Sequence, residues 1–409
     1  MSALADGLRT IEELDVEGRR VLLRADFDVP LISAVSGTSA RVADDARIRA
    51  ALPTVEELRR RGARLVLVSH LGHPPGPDAA FSMRPVADQL AKLTGAPVAL
   101  APAVVGRRVV EVTERLAPGE MLLLENARFE PGETRNDPGL AAALAELGEL
   151  YVNDAFAGAH HAHASSEGVA HWLPAAAGRL MEREILALSA IVERPARPLV
   201  TVIGGANRRD KAGVVTRFLR LADSVCLGGE MCFPFLAALG YDVGRSRPAP
   251  EDLESARVAL RGDAAWARLE LPRDLGVARW GQQAMAPTAR LLQGVHVPDG
   301  WVGLDIGPRT AERYAAEIAA AATVFWTGPM GRVELAAFAG GTRAVGQALA
   351  LASATTVAAG GETIQALRVQ GLTDRISHLS TGGAAALEFL EGRQLPGVMA
   401  LMVPSVATA

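Results

Sequence analysis

The sequence predicts an α/β protein of two doubly wound parallel-sheet domains of similar size, joined by a helix. Three observations carry this reading. The chain has 409 residues, too many for one ordinary core. Short apolar runs alternate with segments of helical period, the pattern of parallel strands covered by helices. That rhythm pauses near Arg197 and then starts again.

The first series of strand candidates is RVLLRADFDV (20–29), RLVLVSH (64–70), PVAL (97–100), MLLLEN (121–126) and ELYVNDAF (149–156). Between them, RIRAALPTVEELRRRG and RPVADQLAKLTG repeat apolar residues with a period near 3.6. A long helical pattern, RLMEREILALSAIV (179–192), ends before the breakers Pro195 and Pro198 and is the expected connector. The second series is PLVTVIGG (198–205), SVCLGG (224–229), TVFWTGP (323–329) and TTVAAGG (355–361). Each of these four closes on glycine or Gly-Pro.

Composition narrows the function classes. With 49% hydrophobic and 22% charged residues the chain reads as soluble and globular. No apolar run reaches the ~18 residues of a membrane span, and the first residues do not read as a signal peptide. Cys226 and Cys232 lie in an apolar stretch and are expected as reduced, buried thiols in a cytoplasmic protein. A net charge of −4 gives no support to nucleic-acid binding.

Glycine turns mark the second half. IGGANRRDK, GGEM, GGET and STGGAA would each bring backbone N–H groups and a helix start to a strand end, where an anion can bind. None matches the GxxxxGK[ST] or GxGxxG patterns, so nucleotide or phosphate binding by another architecture is expected. The first half instead gathers Asp26, Asp28, His70, His73, Arg128 and the histidines of AHHAHASS at strand ends, with Arg47 opening a helix nearby. A phosphate-binding half and a half with a polar pocket suit a two-domain transferase that closes to react.

RADFDVPL, SHLGHPPG, LLLENARFEPGETRND, YVNDAFAGAHHAHASSEGVA, VIGGANRRDKAGV, WVGLDIGP, FWTGPMG and HLSTGGAAALEFLEGRQLPGV follow one another from Asp26 to Val398. This series resembles the successive signatures of the phosphoglycerate kinase family. The resemblance implies an acceptor domain over residues 1–180, a connecting helix over 181–197 and a nucleotide domain over 198–385. Residues 386–409 would return to the first domain. It also implies transfer between Mg-ATP and a carboxylate, giving an acyl phosphate, in an expected monomer.

On the nucleotide side the resemblance makes Lys211 the phosphate-binding lysine and Glu334 the ribose-binding glutamate. Gly204, Gly205, Gly228, Gly229, Gly303, Pro329, Gly361, Thr363, Gly382 and Gly383 also match; Gly382 and Gly383, with Arg47 and Lys211, form the implied catalytic set. Glu362 replaces the family's metal-binding aspartate and keeps a carboxylate for Mg2+ at one methylene more of reach. Ala384 stands where a third glycine is expected. Asn207 replaces the lysine that neutralises the phosphoryl group in flight. Either Arg208 or Arg209 supplies that charge, or both are solvated residues of a helix start.

On the acceptor side Asp26, Arg47, His70, Arg128, His160 and His163 match the family. His73 and His161 each replace an arginine of the phosphate clamp, and Asp28 replaces an asparagine. Three histidines in four positions are thus two inherited and one substituted. A zinc site fits less well, because a simple strand or helix cannot put all three imidazoles of HHAH on one side. Imidazole, with its pKa of ~6.5, cannot reproduce arginine's bidentate grip on a phosphate.

Three functions follow as alternatives. The first is a carboxylate kinase repurposed to a small non-phosphorylated acid, amine-bearing in one form, that feeds amide or ester formation as a ligase would. The second is a genuine phosphoglycerate kinase with an altered clamp. The third is a non-catalytic nucleotide-binding homologue. ATP/ADP and a small carboxylic acid are the expected partners, with neither nucleic acid nor membrane.

Overall fold

A computed structural model describes residues 7–32, 40–206, 209–261, 266–279, 281 and 288–403. The chain divides into two compact units, Met1–Leu186 with Arg393–Ala409 and Ala187–Gly392.

In the first unit the strands are β1 (Arg20–Arg24), β2 (Leu31–Ile32), β3 (Arg41–Val42), β4 (Arg64–Val68), β5 (Val98–Leu100), β6 (Met121–Leu123), β7 (Leu150–Asn153) and β8 (Ala175–Ala177). Six form one parallel sheet in the order β5-β6-β4-β1-β7-β8, and β2 pairs with β3 as a small antiparallel ribbon. Val21, Leu22 and Leu23 are all fully buried, so β1 is a continuous apolar run with both faces covered. Its pairing ends where Arg24 sits opposite Val68 and Asn153. The run 20–29 is therefore only half strand, and its polar end turns out into the site.

The second unit contains β9 (Leu199–Ile203), β10 (Ser224–Leu227), β11 (Leu269–Glu270), β12 (Leu275–Arg279), β13 (Arg290–Leu292), β14 (Trp301–Ile306), β15 (Thr323–Thr327), β16 (Thr355–Ala359) and β17 (His378–Ser380). A six-stranded parallel sheet runs β11-β10-β9-β15-β16-β17, and β13-β12-β14 form a separate antiparallel sheet. Trp326, Tyr314, Val202 and Met330 lie in its core.

The two units divide the chain at Leu186/Ala187, inside the expected connecting segment 181–197, and at Gly392/Arg393. The helix Ala384–Glu391 packs on the helix Arg209–Leu221, where a Cβ on Gly213 would lie 2.4 Å from Glu391 Oε1. That packing keeps it in the second unit. Beyond it the chain rejoins the first unit: Gly397 N–H donates to Ala159 O at 2.9 Å and Val403 N–H to Gly7 O at 2.8 Å. No described helix is long and apolar enough to cross a membrane.

Candidate functional site

In the first unit, β1, β4, β6 and β7 are parallel neighbours, so their carboxyl ends open on one edge. Asp26 and Asp28 follow β1, His70 and His73 follow β4, Arg128 follows β6, and His160, His161 and His163 follow β7. Arg47 lies in the first turn of the helix Ala46–Arg60. Its Nη1 donates to both carboxylate oxygens of Asp26, at 3.1 and 2.9 Å. Asp28 Oδ1 accepts the Gly72 amide at 2.8 Å, while Oδ2 lies 3.7 Å from His70 Nε2 and 4.0 Å from Arg47 Nη1.

His70 is held neutral. Burial, followed by the positive charges of Arg24 and Arg128, pushes its pKa down to about 2. His70 Nδ1 lies at hydrogen-bond distance, 3.1 Å, from Arg24 Nη2. A guanidinium only donates, so Nδ1 accepts and Nε2 carries the proton. His163 is likewise depressed, to about 4, first by burial and then by Arg128 and His161. Burial also lowers the pKa of Arg128, whose Nε has no hydrogen-bond partner among the described residues. An orphaned buried donor of this kind suits an anionic ligand.

The three histidines lie together. Their rings form a continuous row, with centroids 3.9 Å apart for His160–His161 and 5.1 Å for His161–His163. The segment follows a single 3-10 turn, Phe156–Gly158, and is neither helix nor strand, so no regular period separates the rings. No group of three or more His, Cys, Asp or Glu that could hold a metal occurs among the described residues.

In the second unit a cleft of about 770 Å³ is lined by Gly205, Gly229, Gly303, Pro329, Glu334 and Glu362, among others. Lys211 is buried, and its Nζ donates to Gly204 O at 2.7 Å. A Cβ on Gly205 would lie 2.6 Å from that amine, and one on Gly328 would lie 2.5 Å from it. Both glycines have positive φ, +85° and +81°, so any side chain there would be strained as well as crowded. A Cβ on Gly228 would meet Met330 Sδ at 2.6 Å. Buried Thr363 fixes the second turn by accepting the Gly328 amide at 2.7 Å.

Gly361 and Glu362 open the helix Gly361–Val369, and Glu362 is exposed. Glu334 faces Arg332 at 3.3 Å. Gly383 caps the helix Ala384–Glu391 with φ +55°, and Gly382 N–H donates to Ser380 Oγ at 3.3 Å. Ala384 is then an ordinary first helical residue, so the missing third glycine imposes no backbone penalty. Asn207, Arg208 and the side chain of Arg209 lie outside the described residues.

A single carboxylate suits magnesium held chiefly by nucleotide phosphates and water, which needs no protein cage. Glu362, exposed at a helix start in the cleft, fits that donor set.

Several site residues escaped the sequence. Arg24, Glu133 and Ser165 form a buried group behind the first edge; the signal was a lone arginine inside the apolar run VLLRADF. Asp305 lines the cleft, and burial pushes its pKa up to about 7. Its carboxylate accepts Ile306 N–H and Gly341 N–H, both at 2.9 Å. Arg245, Arg247, Arg332 and Arg343 also line the cleft and had no motif to announce them.

A family model described as "Phosphoglycerate kinase" matches residues 11–393. The chain is 48% identical over 394 residues to a phosphoglycerate kinase of Rubrobacter xylanophilus, covering 96% of this chain and 98% of that one. It is 47% identical over 407 residues to a phosphoglycerate kinase of Frankia casuarinae, covering 97% and 100%. The solved structure of phosphoglycerate kinase from Coxiella burnetii superposes with a TM-score of 0.85 at 36% identity, over 96% of this chain and 98% of that chain. That from Pyrococcus horikoshii gives 0.81 at 31% identity with the same coverage.

Proposed function

We propose, for a chain that belongs to the phosphoglycerate kinase family, that it transfers a phosphoryl group between Mg-ATP and the carboxylate of 3-phosphoglycerate. The observation that carries this reading is the similarity over nearly the whole length, at 48% identity, to a phosphoglycerate kinase. It displaces the repurposed kinase as the leading function. In this reading the first unit binds the acceptor and the second binds the nucleotide.

Each residue then has a task. Arg47, braced by Asp26, meets the acceptor carboxylate. Arg128 offers its buried Nε to the distal phosphate, and neutral His70 presents an Nε2 proton to the acceptor. Lys211 and the turns at Gly204–Gly205 and Gly228–Gly229 cradle the nucleotide phosphates, while Glu334 takes the ribose. Glu362 would hold magnesium, which would supply charge neutralisation to the phosphates. Phosphoryl transfer depends mainly on such positioning and electrostatic stabilisation.

One observation favours a second reading, an acid that lacks the phosphate. Arg24, Arg47 and Arg128 at the acceptor edge are matched by Asp26, Asp28 and Glu133, and His70 and His163 are held neutral. Where the family carries two more arginines, His73 and His161 leave this edge without a surplus of positive charge for a phosphate dianion. A ligase-like use of the acyl phosphate belongs to this second reading.

One experiment separates them. With saturating Mg-ATP, acyl phosphate formation is measured as hydroxamate, with 3-phosphoglycerate beside a panel of non-phosphorylated hydroxy and amino acids. Fastest turnover on 3-phosphoglycerate supports the first reading. Turnover confined to a non-phosphorylated acid replaces it with the second, and nucleotide binding without turnover leaves the non-catalytic homologue.

A further inference from the structure

We infer that Ser165 and Glu133 are positioning residues which, through the buried guanidinium of Arg24, hold His70 in its Nε2–H form and aim it at the acceptor. The inference rests on the reading of the first unit's strand edge as the acceptor site.

The hydrogen-bond directions are forced. Arg24 is 3% exposed, Ser165 0% and Glu133 1%, so water does not supply alternative partners. Ser165 has one hydroxyl proton, and its Oγ lies 2.6 Å from Glu133 Oε1, an acceptor. That proton therefore goes to Glu133, and Ser165 Oγ accepts from Arg24 Nε at 2.9 Å. The same guanidinium reaches His70 Nδ1 through Nη2 at 3.1 Å. A carboxylate thus fixes a hydroxyl, the hydroxyl fixes a guanidinium, and the guanidinium fixes an imidazole tautomer.

Glu133 also holds the loop that carries the histidines. Its Oε2 accepts Ser165 N–H at 3.0 Å, its backbone carbonyl accepts Ala164 N–H at 3.0 Å, and its Oε1 lies 4.0 Å from His163 Nδ1. Tyr151 steadies the loop from below, its hydroxyl donating to Ser165 O at 2.8 Å. A buried ion pair kept for stability alone would give the imidazole no preferred tautomer. Here the guanidinium is oriented in its plane by Ser165 Oγ on Nε and by Ala25 O and Ser69 Oγ on Nη1, and its Nη2 ends on the ring nitrogen facing away from Asp28.

The test is the imidazole itself. Long-range proton–nitrogen correlation spectra of the 15N-labelled full-length protein report which ring nitrogen of His70 is protonated. Wild type should show the Nε2–H form alone, and Ser165→Ala, which removes only the linking hydroxyl, should show both tautomers. Steady-state assays of Ser165→Ala should show the acceptor KM raised about tenfold with the nucleotide KM unchanged, as expected for a lost positioning hydrogen bond of about 1.4 kcal/mol. Ser165→Thr, which keeps the hydroxyl, should restore the single tautomer. If Ser165→Ala does not fold, Glu133→Gln carries the same measurement. An Nδ1–H wild type, or a single Nε2–H form in folded Ser165→Ala (or in Glu133→Gln where it stands in), overturns the inference. Mixed tautomers with an unchanged acceptor KM would leave the relay standing and remove the acceptor from this edge.

Discussion

Asp28 receives the Gly72 amide on Oδ1 at 2.8 Å and turns Oδ2 towards His70 and Arg47. The structural bond uses one oxygen, and an amide oxygen would accept it equally well. Asp28→Asn should therefore leave unfolding free energy within about 0.5 kcal/mol of wild type, since the Gly72 bond survives. It should also lower the KM for 3-phosphoglycerate severalfold by removing a negative charge from the edge. Urea unfolding and initial rates measure the two effects. A loss of more than about 1 kcal/mol would mean that the carboxylate, not the bond geometry, holds the loop.

Arginines restored at positions 73 and 161 should tighten binding of 3-phosphoglycerate. Charge-assisted contacts of about 1.5–3 kcal/mol each predict roughly a tenfold to hundredfold gain per arginine. His73→Arg with His161→Arg should act on KM, because the distal phosphate is bound equally in ground and transition states. Asn207→Lys, added to these, should act on kcat. No gain in any variant that still binds ATP would place the divergence in pocket shape and not in charge.

Lys211 lies between the turns at Gly205 and Gly328 with its amine on Gly204 O. Lys211→Met keeps the stem and removes the charge. Calorimetric titration with ADP should show affinity lowered about tenfold or more, consistent with a charge-assisted contact. Equal affinity would take this lysine out of the nucleotide site.

The depressed His163 makes stability depend on pH in a definite direction. Its folded value of about 4 lies below the ordinary 6.5, so the unfolded chain binds the proton first as pH falls. Stability is complete above 6.5 and is lost between 6.5 and about 4, at up to ~1.4 kcal/mol per pH unit. Between about pH 7.5 and about pH 5, wild type should lose about 1–2 kcal/mol more than His163→Gln. Asp154 and Asp305, both pushed up to about 7 by burial, have the opposite slope but are common to both proteins. Equal losses in the two would mean that the imidazole is solvated.

How much of the site was legible depended on how local its cause is. The glycine turns were readable because crowding around them is severe: a Cβ at Gly204 would sit 2.3 Å from Pro329 O. The short strand Ala175–Ala177 was missed because three alanines carry neither period nor β-branching. The antiparallel sheet of β12, β13 and β14 was missed because the pairing of LGVAR with RLL and WVGLDI is set by tertiary contact.

The sequence by itself determined the two α/β halves, the family and the placing of Asp26, Asp28, His70, His73, Arg128 and the three neighbouring histidines after strands of the first unit. Those follow from apolar runs, glycine turns and ordered motifs, all of which are local in the chain. Tertiary structure alone decided who bonds to whom. Arg24 meets Ser165 across 141 residues and Ser165 meets Glu133 across 32. Arg47 closes on Asp26, and three imidazoles lie in a row in a segment with no regular period. Such partners are chosen by strand order, because parallel pairing of β6, β4, β1 and β7 brings four distant chain segments to one edge. The protonation of His70 and His163 was settled there too, since burial and neighbouring guanidiniums, not residue type, set an imidazole's charge.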